Sequence, residues 1–212
     1  MVQQERALRT RRSLIRAAAE VFAEEGFVPA SITTISRRAG VSNGALHFHF
    51  ENKRALARAV EDEAAQTLRR ITKGVLDAEG GALQALVDGT YGLMSGLADD
   101  IVVRAGFGLG GETSRGADSE LRRYWQQWVE DMLRRAEKEG RLAQGVSCES
   151  AAPALVAATV GFEVLGGKDP QWLSEQRIRS FWDLLLPRLA EPDTGISPGS
   201  GGSPESDAPA RG

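Results

Sequence analysis

Two histidines occur in the chain, and both lie in LHFHF, where His47 and His49 alternate with Phe48 and Phe50. Imidazoles so placed suggest metal ligation, acid–base catalysis or hydrogen bonding to a polyanion. The first fails on geometry. On a helix, residues two apart point about 200° apart, whereas ligands on one face need a spacing of three or four and a zinc site needs three or four of them. Cys148 is the single cysteine, and no third ligand lies near in sequence. We expect no metal and no cofactor. Catalysis finds no support either: HExxH, a Walker glycine loop and a Cys–His pair are all missing from the sequence. Glu163, in an apolar stretch, is the one candidate acid, and a partner-bonded or pocket-lining carboxylate explains it equally well. The expectation is that this is not an enzyme.

The remaining chemistry needs a helix that turns the histidines outward. Ser42 is a side-chain N-cap for NGALHFHF, and Leu46 and Phe50, four apart, would pack inward while His47 turns to a groove. Small Gly44 and Ala45 permit close approach. Before it, Ser31 caps the short segment ITTISRRAG, which Gly40 closes. A longer amphipathic helix precedes that over residues 8–26, with Leu14, Ile15, Ala18, Val21 and Phe22 at three- and four-residue spacing and Gly26 as its stop. Glu51 and Asn52 open a fourth helix through residue 76. Two short helices joined by the turn Ala-Gly-Val-Ser form a helix-turn-helix pattern, whose second helix enters the DNA major groove.

Charge agrees with such a head. Residues 1–58 hold ten Arg or Lys against five Asp or Glu, so a +5 segment precedes a −8 remainder in a chain of net −3. Phosphate attraction is needed only where the protein meets the polyanion. With 42% hydrophobic and 26% charged residues, the 212-residue chain can bury a real core. No leader-like apolar run opens it, and its longest apolar stretch is interrupted by Pro153 and Glu163, so a cytoplasmic protein without a membrane anchor is expected.

Beyond residue 76 the periodicity predicts five further helices, over 83–98, 100–109, 119–140, 149–167 and 174–190, with loops at 110–118 and 140–148. The fold class is therefore all-α. It divides into a helix-turn-helix domain at 1–52, a ligand-binding and dimerisation domain at 53–190, and a disordered tail at 191–212 that is too poor in apolar residues to order.

ISRRAGVSNGALHFHFENKRAL resembles the DNA-binding domain of TetR-type transcriptional repressors, over roughly residues 8–60, with His47 where that family most often has Tyr. The resemblance implies that Thr33 and Thr34 lie near the DNA backbone. It also implies that Ser42, Asn43, Gly44, Ala45, His47 and His49 meet the groove and its phosphates, and that Lys53 holds a phosphate at the start of the fourth helix. Phe48 is open between packing and contact. The arginines from Arg6 to Arg12 could track the adjacent backbone, or could be a solvated helix start.

In the body, Trp125 and Trp128 share a helical face, which suits core packing or an apolar cavity alike. DIVVRAGFGL, YWQQWVEDMLRRAEKEGRL and LVAATVGFEVLGG resemble the γ-butyrolactone receptor branch of the same family. That resemblance implies a homodimer on double-stranded operator DNA, released by a small apolar γ-butyrolactone or butenolide signal and controlling antibiotic or secondary-metabolite genes. Some relatives answer to antibiotics or their intermediates instead, and a helical sensor that does not touch DNA is a further alternative. The pocket tryptophan of the branch falls on Trp125, and the lining set is Trp125, Trp128, Phe107, Val156, Thr159 and Val160. A dimer surface is expected on the two late helices, from Leu155, Val156, Thr159, Val160, Phe162, Phe181, Trp182, Leu185 and Leu186.

Overall fold

The computed structural model describes residues 2–76, 80–111 and 120–192, together with 195, 196 and 198. Among these, nine α-helices and one 3₁₀ turn account for the regular structure. The head begins with α1, Val2–Glu25, which starts six residues before the apolar periodicity would place it. Residues 4–13 are mostly exposed, but they contain no helix breaker and the Glu5–Arg9 pair, at 2.6 Å, supports the first turns. From Leu14 onward the predicted face is buried: Leu14, Ile15, Ala18, Val21 and Phe22 are all at most 4% exposed.

Each cap read from the sequence is formed. Gly26 takes φ 81° and its N–H donates to Phe22 O at 2.9 Å. Ser31 Oγ accepts from Thr34 N, opening α2 (Ile32–Arg38), and Ser42 Oγ accepts from Ala45 N, opening α3 (Asn43–His49). Phe50 is extended and ends α3; Asn52 Oδ1 then accepts from Ala55 N, starting α4 (Lys53–Gly74).

The body consists of α5 (Gly81–Asp99), α6 (Ile101–Gly111), α7 (Glu120–Lys138), α8 (Cys148–Gly166), the 3₁₀ turn Pro170–Leu173 and α9 (Glu175–Leu189). The 3₁₀ turn lay outside the predicted elements; Asp169 caps it through Gln171 N, and Pro170 has no amide to lose there. Most of the loop expected at 110–118 lies outside the described residues, while Gly110 and Gly111 extend α6. The loop expected at 140–148 is present and is tied to the end of α9 by an isolated bridge between Leu142 and Ala190.

Helix α6 joins the two parts because it packs against both α1 and α4. Its approach to α4 is close: a Cβ on Gly106 would lie 2.5 Å from Ala64 Cβ, so only glycine fits at this crossing. Helix α8, 19 residues at mean hydropathy 1.3, is long and apolar enough to cross a bilayer by length and composition. Its place against α7, with Glu163 paired to Arg122, is that of a helix of the body. Of the expected tail, residues 193, 194, 197 and 199–212 lie outside the described residues; Ile196 packs against the core and Tyr91 donates to Pro198 O at 2.9 Å.

Candidate DNA-reading face and effector site

Helix α3 has two distinct sides. Leu46 is fully buried and Phe50 is 5% exposed, whereas His47 and Phe48 are exposed, Phe48 at 82%. The outward side therefore carries a ring hydrogen-bond donor beside an unpacked aromatic face. His49 is half-buried and lies edge-on to Phe48, with ring centroids 5.2 Å apart. Gly44 is exposed, and the only atom near an added Cβ would be Ser42 Oγ at 3.8 Å, so this end of α3 has an open approach. Phe48 is the residue whose role the sequence left open. An apolar side chain this exposed on a seven-residue helix is not packing.

Several predicted contact residues also have work inside the head. Thr34 and Ser42 take part in caps, Ser31 Oγ lying 2.9 Å from Thr34 Oγ1. Asn43, though exposed, is bonded back to α2: its Oδ1 accepts from buried Ser36, and its Nδ2 reaches Thr33 Oγ1 at 3.4 Å. It thus fastens α3 to α2 and sets the angle of the motif.

Lys53 corrects the expectation placed on it. Its ammonium donates to Phe27 O at 2.7 Å, Val28 O at 2.9 Å and Ala30 O at 2.8 Å, and stands 4.6 Å from the Phe27 ring centroid. An ammonium has three donors, and all three are used on backbone carbonyls, so Lys53 anchors the α1–α2 turn instead of holding a phosphate. Nothing local in the sequence signals this, because the partners lie 23 to 26 residues away.

On the arginine-rich start, Arg11 lies over the Phe50 ring at 5.2 Å and Arg9 pairs with Glu5, leaving Arg6 and Arg12 exposed along α1. Arg38 bonds Glu24 at 2.6 Å across α1 and α2, and this hydrogen bond holds the Glu24 carboxyl below its ordinary range.

In the body, Trp125 and Trp128 stack at 5.1 Å with 27° between their planes, both buried. Trp125 Nε1 donates to Thr159 Oγ1 of α8 at 2.8 Å, and Thr159 in turn reaches Leu155 O at 2.9 Å. The buried indole N–H of Trp128 has no acceptor among the described residues. Its ring fits only because residue 89 on α5 is glycine, where a Cβ would stand 2.3 Å from Cη2. Phe107 on α6 is also buried, while Val156 and Val160 are half-buried on α8. About one turn N-terminal to Trp125 on α7, Arg122 makes a bidentate pair with Glu163, both contacts at 2.9 Å. The carboxylate that might have been an acid is thus the partner of a guanidinium. Among the described residues no three His, Cys, Asp or Glu side chains converge on a metal-sized site.

The expected dimer surface divides. Leu155, Thr159, Trp182 and Leu186 are buried within the protomer and leave that surface. Val156, Val160, Phe162, Phe181 and Leu185 stay partly open, and Val164, Leu165 and Leu184 join them at 50, 41 and 80% exposure. Helical periodicity marks an apolar residue without saying which of two apolar neighbours it faces.

A head with this motif on an all-helical body defines a class, and the comparisons agree: residues 14–60 match the pattern of bacterial regulatory proteins of the tetR family, and the chain belongs to that family. Along 91% of its length, covering 68% of the relative, it is 32% identical to the A-factor receptor protein of Streptomyces griseus. It superposes on a crystal structure of a γ-butyrolactone receptor (ArpA-like protein) with TM-score 0.76 and 28% identity, over 89% of this chain and 92% of that one. The TetR family protein CprB from Streptomyces coelicolor, solved with its operator sequence, gives TM-score 0.73 and 30% identity over 88% and 90%.

Proposed function

We propose that the chain is a ligand-responsive transcriptional repressor. It binds double-stranded operator DNA as a homodimer in the cytoplasm and is released by a γ-butyrolactone or butenolide signal, so relieving repression of antibiotic or secondary-metabolite genes. The reading contains no catalytic step. The observation that carries it is the joint one of an outward-facing α3 on a chain similar over nine tenths of its length to an A-factor receptor. His47 and Phe48 would meet base edges, sugars and phosphates, with Gly44 and Ala45 allowing close approach and the helix N-terminus favouring a phosphate. Thr33, Thr34 and Ser42 would lie along the backbone, with Asn43 holding the motif's angle. The partly open apolar face of α8 and α9 would close the dimer and set the half-site spacing.

The signal would enter beside Trp125 and Trp128, against Phe107, Val156, Thr159 and Val160. The unmatched Trp128 N–H supports an oxygen-bearing ligand, since a lactone carbonyl supplies the acceptor that a buried indole lacks. Release is then a population shift. Moving from 1:99 to 99:1 requires the signal to favour the DNA-free arrangement by about 5.5 kcal/mol. The direct test is fluorescence anisotropy of labelled DNA from upstream of this gene and its neighbours, at two salt concentrations, with and without a γ-butyrolactone. Salt-sensitive binding reversed by the lactone is expected. Binding indifferent to every lactone and butenolide would overturn the signal class, and no binding to a wider operator library would overturn the repressor.

A further inference from the structure

A cavity of about 550 Å³ opens where the head meets the body, and none of the six residues of the Trp-lined set borders it. The end of α1 and the glycine that stops it supply Phe22, Ala23 and Gly26; α6 supplies Arg104 and Gly108; the C-terminal part of α8 and the 3₁₀ turn close the far side. An occupant would therefore touch the DNA-binding domain and the effector domain together. The volume suits a small molecule, since ligand pockets run from about 300 to 1,000 Å³.

The walls are amphipathic in an ordered way. Phe22, Leu97, Leu109, Val164 and Leu173 form the apolar part, and Arg104, Arg122 and Lys168 oppose a single carboxylate, Glu163. Glu163 is matched by the bidentate contact with Arg122, so the excess charge rests on Arg104 and Lys168. The carbonyl ends of α1 and α8 each contribute about half a negative charge, which still leaves the cavity about one charge positive. Arg104 donates from one terminal nitrogen to Ala98 O at 2.9 Å, while its buried Nε has no acceptor among the described residues. A buried guanidinium N–H without a partner is costly, and an anionic oxygen in the cavity would satisfy it.

We infer that this junction cavity is a second ligand site, distinct from the Trp-lined one, for a small amphipathic carboxylate whose head group lies between Arg104 and Lys168 and whose apolar tail lies along Phe22 and Leu173. Its occupancy stabilises one orientation of α1 against α6 and so changes operator affinity without competing with the signal. The site depends on neither the identity of that signal nor the role of Trp125.

The test uses the full chain and octanoate as the probe, with 1-octanol as its uncharged counterpart, followed by isothermal titration calorimetry. Saturable one-to-one binding of octanoate is expected, at least tenfold tighter than octanol, because a charge-assisted hydrogen bond contributes on that scale. Lys168→Glu, at an exposed position, should weaken it about tenfold or more. Gly108→Leu should abolish it by filling the cavity, and the open space around Gly108 lets the variant fold. Trp125→Phe should leave it unchanged. Absence of saturable binding to the wild-type chain, binding that survives Gly108→Leu in a folded variant, or binding lost in Trp125→Phe would each overturn the proposal.

Discussion

Thr159 illustrates how much one hydroxyl can connect. It accepts the Trp125 indole N–H while donating to its own helix, so α7 and α8 are joined through a group with no spare donor. Trp125→Phe keeps the aromatic face and removes that link. The expected outcome is an operator affinity close to wild type, a loss of about 1 kcal/mol in stability, and a lactone response shifted at least tenfold to higher concentration, read by thermal unfolding and operator release. An unshifted response would place the signal elsewhere. His47→Ala should leave the melting temperature unchanged, since the ring is exposed, and weaken operator binding about tenfold, consistent with about 1–3 kcal/mol for a good side-chain contact to a base. Lys53→Met should act in the opposite manner. It leaves three carbonyls short of a donor and should cost roughly 1–3 kcal/mol, a fall of several degrees in melting temperature.

Between elements, the crossing of α4 and α6 is the tightest described contact of the effector body with the helix that leads from the head. Gly106→Ala forces a Cβ into Ala64 and should separate the helices by about an ångström, at a cost of about 1–3 kcal/mol. Operator affinity should change with it, in either direction, and anisotropy on the folded variant would show it. An unaltered affinity would remove α6 from the path between the two domains. These dependencies were not legible in the sequence. The caps Ser31 and Ser42, the start of the fourth helix near Asn52 and the stops Gly26 and Gly40 were, because a cap acts on residues two to four positions away. The bonds of Asn43 to α2, the carbonyl cluster around Lys53, the notch at Gly89 and the Arg122–Glu163 pair all depend on partners brought together by packing. The long N-terminal extension of α1 was missed for a different reason: it has helix-forming residues but no apolar face, so periodicity is silent there.

For the whole molecule, the partly open strip from Val156 to Leu165 on α8 and from Phe181 to Leu185 on α9 predicts a two-fold assembly. Leu184→Asp should leave the protomer folded, since its side chain is 80% exposed, and convert the dimer to monomer in light scattering at micromolar concentration. Operator binding should fall more steeply than His47→Ala makes it fall, because both half-site contacts are then lost as a unit. A monomeric wild type would refute the strip's assignment.

The contacts of Lys53 make the boundary between the domains mechanically different from the boundary in sequence. Residue 53 opens α4, yet its ammonium is fixed to the turn at 27–30, so the first turn of α4 and the head share one frame. Under the proposed mechanism, a displacement that α6 imparted near Ala64 would be delivered as by a lever: the bar would be α4, its near end is bolted to the head, and the swing of His47 would grow with its distance from the pivot. The gain of such a switch would be set by geometry, and loosening the Lys53 bolt would leave only the packing of α1 against α4 and α6 to carry the swing.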